Sequence, residues 1–269
     1  TVNSPSSSTA TKIHTYDCDM FILKGKFRTQ YPATDKYSVG IVCTGDVRIF
    51  DGGELETHQD AYTSGTSCDH TFGNLIIDNG GTYKATSKTT TLTTGGVING
   101  IANSTLGGEG TFTHNNGTLI FDSVLHRIPR GGTFYNVKMT GNQNTGGLYA
   151  YSSTLLPQAV MPDGTTHINY MSILGTLDIT EGEFRPYNAD KVYIHNLVIG
   201  DGTGSANSAK FDFSEADTFD GKVFVDNVTI HSDGQLLFGT NDETSATEGS
   251  SALNISGSFR NIGGSVDIA

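Results

Sequence analysis

The sequence contains no tryptophan, only six prolines and only three cysteines among its 269 residues. Cys18, Cys43 and Cys68 are evenly spaced along the chain. An odd number of cysteines this small does not form a disulfide framework. The even spacing favours three buried thiols stacked on successive coils near the N-terminal end, and the alternative is that two equal intervals arise by chance.

Strong helix formers are also scarce, and no window repeats apolar residues at helical spacing. Only 35% of the residues are hydrophobic and 16% are charged, whereas 34 residues are glycine. This composition is typical of many short strands joined by tight turns. It excludes a predominantly helical protein.

Basic residues are few: 16 Lys and Arg face 28 Asp and Glu, for a net charge of −12. Nucleic acids and anionic membranes are bound through basic patches, so we expect neither as a partner. The sequence shows no transmembrane run, signal peptide or lipidation motif. Because the first residue is threonine, two origins stay open: removal of an initiator methionine, or a longer parent chain with a cleaved leader.

One pattern occurs twice, as VYIHNLVI at 192–199 and VFVDNVTI at 223–230. Each copy is apolar on alternate residues, breaks phase at an asparagine and then alternates again. The shorter form apolar-x-Asn-apolar-x-apolar recurs at 72–77 and 134–139, with a variant at 168–173. A period near thirty residues, carried by strands and glycine turns, predicts an all-β parallel β-helix or β-solenoid.

The asparagines at the phase breaks are Asn74, Asn136, Asn196 and Asn227. Asparagine tolerates the left-handed backbone needed to bend between strands, and its amide can hydrogen-bond to a neighbour on the next coil. We therefore predict that these four residues form one structural ladder. The alternative is that they are unrelated surface residues in an Asn-rich protein.

The rest of the chain is divided around this repeat. Residues 1–11 are rich in Ser and Thr and predict a flexible N-terminal arm. Residues 12–60 predict an N-terminal β-cap or the first coils, and residues 61–269 the β-solenoid, with insertion loops near 149–166 and 240–251. About nine coils stacked about 4.8 Å apart would form a rod about 43 Å long, and its ends need a cap, a partner chain or a continuation.

Carboxylates lie close together at Asp17 with Asp19, and at Asp51 with Glu54 and Glu56. Glycoside cleavage needs two carboxyl groups that face each other across a groove, and the sequence does not show which faces these side chains share. Solvated strand faces are the favoured interpretation. We predict no catalytic residues.

His58, Cys68 and His70 are close in sequence, but their spacing matches no zinc motif. A turn histidine and a buried cysteine are the favoured interpretation. The segment GDGTG at 200–204 is similar to a calcium-binding repeat, yet it occurs once and lacks the continuation of that repeat. Phosphate loops, dinucleotide fingerprints and nucleophile elbows do not occur. We therefore predict no metal and no cofactor.

A resemblance is carried by GTFTHNNGTLIFD at 110–122 and GTFYNVKM at 132–139. These segments resemble a repeat of large β-helical proteins found in bacteriophage virions and in secreted bacterial adhesins. The similarity covers residues 110–140, and residues 199–213 are of the same character. The resemblance implies a β-helical architecture and brings no catalytic residues with it.

These features favour a non-enzymatic structural protein of a phage virion, either a capsid decoration or a component of a tail or fibre, that acts as a rigid platform. We expect other virion proteins and further copies of the chain as partners. Homotrimers are common among the fibres that the chain resembles, and nothing in the sequence fixes the number of copies. A host-surface glycan or protein is a further expected partner. Two alternatives stay open: a secreted bacterial adhesin passenger at the cell surface, and a polysaccharide lyase or hydrolase of the β-helix type.

Overall fold

The computed structural model describes residues 12–29, 39–57, 67–94, 106–107, 110–122, 126–128, 132–140, 148–149, 159–167, 170–186, 191–213, 222–238 and 252–268. All regular elements in these segments are β-strands, and the ladders that join one turn to the next are parallel. The predicted all-β parallel β-solenoid is therefore confirmed.

The described residues form 26 strands, which we number in chain order. They are β1 (Lys12–Tyr16), β2 (Met20–Ile22), β3 (Gly25–Arg28), β4 (Val39–Ile49), β5 (Gly53–Glu56), β6 (His70–Ile77), β7 (Thr82–Lys84), β8 (Thr89–Leu92), β9 (Leu106–Gly107), β10 (Thr111–Thr113), β11 (Thr118–Phe121), β12 (His126–Arg127), β13 (Gly132–Phe134), β14 (Asn136–Met139), β15 (Leu148–Tyr149), β16 (Ala159–Val160), β17 (Thr166–His167), β18 (Tyr170–Ile179), β19 (Gly182–Arg185), β20 (Lys191–Ile199), β21 (Ala209–Phe213), β22 (Lys222–Ile230), β23 (Gly234–Phe238), β24 (Ala252–Ile255), β25 (Phe259–Asn261) and β26 (Ser265–Ile268).

The strands stack into three ladders, which we call faces 1, 2 and 3. Face 1 contains β1, β4, β6, β8, β11, β14, β18, β20, β22 and β25. Face 2 contains β2, β4, β6, β9, β12, β15, β19, β21, β23 and β26, with β12 packed beside β9. Face 3 contains β3, β5, β7, β10, β13, β18, β20, β22 and β24, with β13 packed beside β10. Ten strands at about 4.8 Å span about 43 Å.

Five long strands belong to two faces because they bend at a corner. β4 and β6 run from face 1 onto face 2. β18, β20 and β22 run from face 3 onto face 1. The smooth corner therefore changes position between the first and second halves of the solenoid.

The core is a set of inward columns in which each side chain lies on the one a turn below. One column on face 1 contains Cys43, Phe72, Leu92, Phe121, Met139, Ile179, Ile199 and Ile230, all buried. On face 3, Tyr83 packs on Phe112 at 5.8 Å between ring centroids, and Phe112 packs on Phe134 at 5.5 Å. Each such aliphatic or aromatic side chain contributes about 1.5–3 kcal/mol by burial.

Glycines allow the turns between faces 2 and 3 to approach each other closely. A Cβ atom at Gly81 would lie 2.6 Å from the Ile49 carbonyl oxygen of the turn below. The equivalent Gly53 would meet the Ile22 carbonyl oxygen at 2.4 Å. Only glycine fits at these two positions without displacing the backbone beneath it.

Strands β1 to β5 pair within the ladders and form the first two turns. The predicted insertion near 149–166 contains the antiparallel hairpin β16–β17, and the Val160 N–H donates to Thr133 Oγ1 of face 3 at 2.7 Å. The predicted arm at 1–11 and the loop at 240–251 lie outside the described residues.

The predicted stack of cysteines was wrong. Cys43 is buried in register with Tyr16 and Phe72, whereas Cys18 is exposed in the turn after β1. Cys68 is buried ahead of β6. The spacing of the cysteines is shorter than the turn here, because the residue that lies over Cys43 is Phe72 and not Cys68.

Candidate functional site

The corner between faces 3 and 1 holds three of the four predicted ladder asparagines. Asn227 Nδ2 donates to Asn196 Oδ1 at 3.1 Å. Asn136 Oδ1 accepts the Thr176 N–H at 2.9 Å, and Thr176 is in register with Asn196. Ser258 closes the series by donating its N–H and Oγ to Asn227 Oδ1, at 3.2 and 2.8 Å.

This series continues downwards through threonines, so we call it the corner ladder. Its members, one per turn, are Asp69, Thr89, Thr118, Asn136, Thr176, Asn196, Asn227 and Ser258. Thr89 Oγ1 donates to Asp69 Oδ1 at 2.5 Å, and Asn136 Nδ2 donates to Thr118 Oγ1 at 3.4 Å. Short polar side chains of several kinds can therefore fill one ladder position, because each offers an oxygen to the next turn.

Asn74 does not belong to the corner ladder. It lies at the corner between faces 1 and 2, where its Nδ2 donates to Asp46 Oδ1 at 2.7 Å. The Asp46 N–H donates in turn to Asp19 Oδ1 at 2.9 Å. The four predicted asparagines are therefore divided between two ladders. The reason is that the repeated pattern marks any smooth corner, and the smooth corner changes position along the chain.

The Asp17 and Asp19 carboxylates bond the first turn to the second. Asp19 accepts the Asp46 N–H, and Asp17 Oδ1 accepts a hydrogen bond from Thr44 Oγ1 at 2.7 Å. Both carboxylates therefore stabilise the corner at the end of β1 by hydrogen bonds to the second turn.

Glu54 and Glu56 share the outer side of face 3 and are paired with basic residues from the adjacent turns. Lys26 Nζ lies 2.9 Å from Glu54 Oε1, and Lys84 Nζ lies 3.0 Å from the same oxygen. Arg28 Nε donates to Glu56 Oε2 at 2.8 Å. Burial raises the pKa of Glu54, but the two lysines outweigh burial and hold this pKa below its usual value. This carboxylate group is an ion-pair network across three turns, and Asp51 lies exposed in the turn before it.

Among the three residues of the suspected metal group, His58 lies outside the described residues. The buried Cys68 is as predicted, and its carbonyl oxygen accepts Thr86 Oγ1 at 2.7 Å. His70 is buried in the core, where its Nδ1 accepts the Ile41 N–H at 3.2 Å. Burial lowers the pKa of His70 to about 4, so the ring is neutral at pH 7.

The segment at 200–204 forms a loop around a carboxylate of its own chain. Asp233 is fully buried and accepts hydrogen bonds from the Gly202 N–H at 2.8 Å and the Gly204 N–H at 3.0 Å. The Asp201 side chain accepts the N–H and Oγ1 of Thr203, at 2.8 and 2.6 Å. Successive N–H groups that converge in this way form a nest for an anion. The loop therefore binds the Asp233 carboxylate.

Two polar clusters were not found from the sequence. The first lies on the outer side of face 2, where Glu183 hydrogen-bonds to Asp212 and Arg185 Nη2 lies 3.1 Å from Glu183 Oε2. Burial and the hydrogen bond to Asp212 raise the pKa of Glu183 to about 7, against the opposing effect of Arg185. Glycosidases hold their two carboxyl groups about 5 Å or more apart, whereas these two share a hydrogen bond.

The second cluster surrounds Asp226 at the corner between faces 3 and 1. Asp226 Oδ2 accepts Tyr193 Oη at 2.5 Å and lies 2.8 Å from His195 Nδ1, and Oδ1 accepts Ser256 Oγ at 2.6 Å. Burial raises the pKa of Asp226, but these three hydrogen bonds hold the pKa below its usual value. A nucleophilic serine would donate its hydroxyl hydrogen to the histidine that acts as its base. Here the Ser256 hydroxyl donates to the Asp226 carboxylate and His195 contacts that same carboxylate, so the cluster does not have this arrangement.

Both clusters bring together residues that are about one turn apart in the sequence. They could have been predicted if the length of each turn had been known from the sequence.

Within the described segments, no three His, Cys, Asp or Glu side chains come together as metal ligands would. The same segments contain no helix that is long and apolar enough to cross a membrane.

Comparison with protein-family models, with curated proteins and with solved structures finds no match.

Proposed function

We propose that this chain is a non-enzymatic structural protein of a phage virion, either a capsid decoration or a component of a tail or fibre. The observation that carries the proposal is the three-faced β-solenoid itself, in which the ladder of face 1 runs without a break from β1 to β25. Such a stack resists bending because each turn contacts its neighbours along three faces.

The polar side chains support a scaffolding role. The corner ladder, the Glu54 and Glu56 network and the nest around Asp233 each join one turn to another. In these interactions the polar groups form hydrogen bonds and ion pairs between turns of the solenoid. In an enzyme, such groups would line a cleft that binds the substrate. The resemblance at 110–140 is to a repeat found both in virion proteins and in secreted adhesins, and it supports a β-helical scaffold, since that segment contributes β10, β11, β13 and β14 to the ladders.

A carbohydrate-cleaving role would depend on Glu183, the one described carboxyl group whose pKa is raised to about 7. A neutral carboxylic acid at pH 7 can act as a general acid. This alternative predicts release of reducing ends or unsaturated products from acidic glycans, and loss of that release in Glu183→Gln.

The test of the proposal is quantitative mass spectrometry of phage particles purified through successive density gradients. We expect the chain to remain in a constant ratio to the major capsid protein through each gradient and through a high-salt wash. Loss of the chain from particles during purification would contradict a virion role. Recovery in the cell-surface fraction instead would favour the adhesin alternative.

A further inference from the structure

The outer side of face 3 carries aromatic side chains on adjacent turns in the second half of the solenoid. Buried and partly exposed residues alternate along β20 and β22, so that Tyr193 and Phe224 point outwards. These two residues are in register, one turn apart. On the turn below, Tyr170 also points outwards and is in register with Lys191, whose Nζ lies 5.1 Å from the centroid of its ring. We call the surface formed by Tyr170, Tyr193 and Phe224 the aromatic surface.

The aromatic surface is not a general property of the outer side of the solenoid. The outward column of face 1, which runs from Thr15 to Arg260 through the described strands, contains no aromatic residue. On the first half of face 3, the outward positions hold the ion pairs of Glu54 and Glu56. Single apolar residues are common on protein surfaces, whereas grouped aromatic residues mark interaction sites.

The hairpin β16–β17 bounds the aromatic surface at one end. The Val160 N–H donates to Thr133 Oγ1, and Thr133 is followed in the same outward column by Ser172 and then Tyr193. Ser172 points outwards but is fully buried, because β16 also packs against β18. The hairpin therefore rises above the sheet one turn below Tyr193. It gives the surface a wall, and ligand sites are concave.

Polar groups flank the aromatic rings on both sides. On β20, Lys191 lies two residues before Tyr193, and His195 lies two residues after it. Asp226 accepts Tyr193 Oη and lies 2.8 Å from His195 Nδ1. Because an ionised carboxylate only accepts hydrogen bonds, Nδ1 carries the hydrogen, and Nε2 is an acceptor in the neutral ring. The His195 side chain is 47% exposed, and no described residue hydrogen-bonds to Nε2.

This combination of groups matches the chemistry of a sugar. A pyranose ring has an apolar C–H face that packs on an aromatic ring, and its hydroxyl groups both donate and accept hydrogen bonds. The aromatic surface offers rings for the C–H face. Lys191 offers a donor to the hydroxyl groups, and His195 and Asp226 offer acceptors.

Two other kinds of ligand fit this surface less well. A polyanion, such as a nucleic acid or an acidic glycan, would meet the Asp226 carboxylate on a chain with a net charge of −12. An extended peptide could not add a strand here, because β18, β20 and β22 are each paired on both sides. A neutral glycan avoids both difficulties.

We propose that the aromatic surface of face 3 binds a neutral glycan, with sugar rings packed on Tyr193 and Phe224 and hydroxyl groups bonded to Lys191, His195 and Asp226. The parallel ladder fixes the backbone beneath the rings, and hydrogen bonds from the turns below and above fix the Asp226 carboxylate. Little ordering is therefore needed on binding, which favours affinity. Glycan binding goes beyond the virion role and does not depend on it, because a cell-surface adhesin could carry the same site.

The test is binding of the purified chain to an array of immobilised neutral and acidic oligosaccharides, followed by calorimetric titration with the neutral oligosaccharide that binds best. We expect neutral members of the array to bind. Phe224→Ala should weaken this binding about tenfold, because it removes one of the rings. Val198→Ala is the matched control, since Val198 points outwards on face 1 from the same strand as Tyr193, and it should leave the affinity unchanged.

Saturation-transfer NMR tests the packing of the sugar on the rings directly. Irradiation of the aromatic protons of the chain should saturate the ring C–H protons of the bound oligosaccharide, and Phe224→Ala should reduce this transfer. If Phe224→Ala loses the β-sheet signal in circular dichroism, His195→Ala replaces it. The His195 side chain lies at the surface, and its removal should also weaken binding.

Three results of these experiments would overturn the proposal: no binding of any neutral oligosaccharide, binding of acidic oligosaccharides alone, or equal weakening by Phe224→Ala and Val198→Ala. Light scattering covers the remaining occupant, a second copy of the chain. Self-association that Phe224→Ala abolishes, in a chain that binds no glycan, would assign the aromatic surface to that copy and also overturn the proposal.

Discussion

Protonation of Glu183 should make the free energy of unfolding depend on pH. A pKa raised from 4.5 to about 7 means that the folded chain binds this proton more tightly than the unfolded chain. The resulting stabilisation is fully present below pH 4.5 and is lost as the pH rises through about 7. Its size is on the order of 3 kcal/mol, since each pKa unit corresponds to about 1.4 kcal/mol.

Glu183→Gln isolates this contribution because the amide resembles the neutral acid and can still donate a hydrogen bond to Asp212. We expect the variant and the unmodified chain to be about equally stable at about pH 4 and the variant to be more stable by about 3 kcal/mol at about pH 9. The assay is urea unfolding followed by circular dichroism at several pH values. His70, whose pKa is lowered by burial, contributes equally to both chains and cancels from the difference.

Glu54→Gln is the control of opposite sign. The lysines hold the Glu54 pKa below its usual value, so the carboxylate stabilises the fold above that value and the contribution is lost as the pH falls through the folded pKa. Glu54→Gln should therefore be less stable than the unmodified chain at neutral pH, and the difference should shrink in acid. A Glu183→Gln effect that is independent of pH, or that grows towards low pH, would refute the reasoning.

Three further predictions test the ladders and the core. Asn196→Leu and Asn227→Leu should each lower the free energy of unfolding by about 1–3 kcal/mol, because a neighbouring residue of the ladder loses its hydrogen-bond partner. Asn254→Leu, which lies outside the corner ladder, should change the free energy of unfolding by less than about 0.5 kcal/mol. Equal urea midpoints for all three variants would contradict the ladder. In the folded chain, a thiol reagent should modify the exposed Cys18 quickly. Cys43 and Cys68 should react only after unfolding, because both side chains are buried and burial raises the pKa of Cys43. Fast modification of all three thiols would contradict the register of β4. Gly81→Ala should cost about 1–3 kcal/mol because its Cβ would meet the Ile49 carbonyl oxygen, and the exposed Ser87→Ala should cost less than about 0.5 kcal/mol, both measured by urea unfolding.

The repeated asparagine pattern was enough to predict the solenoid, because strand alternation with a period near thirty is typical of stacked coils. It was not enough to assign Asn74 to the correct ladder. The pattern describes two strands joined by a smooth corner, and β6 uses it between faces 1 and 2 while β20 uses it between faces 3 and 1. One local pattern therefore serves two places in the fold.

Contacts between turns were harder to predict because the turns differ in length. Phe121 and Met139 are in register across a short turn, whereas Met139 and Ile179 are in register across a turn about twice as long. The hairpin β16–β17 accounts for part of the longer turn. Without these lengths, neither the Glu183–Asp212 pair nor the cluster around Asp226 could be assembled from the sequence.

The resemblance and the acidic composition led to the same expectation of a structural protein, and the fold agrees with a scaffold. The carboxylates that lie close together in the sequence proved to be bonded across turns, at Asp19, Glu54 and Glu56. Proximity in sequence was a poor guide to a site here, because strand neighbours along the chain point to opposite faces while partners come from adjacent turns.

The most direct test of the proposed role is immunogold electron microscopy with an antibody raised against this chain, applied to purified phage particles and to host cells. We expect gold on the particles, on heads for a capsid decoration or on tails for a tail or fibre component. Gold confined to the surface of the host cells, with unlabelled particles, would contradict a virion scaffold and establish the chain as a cell-surface protein.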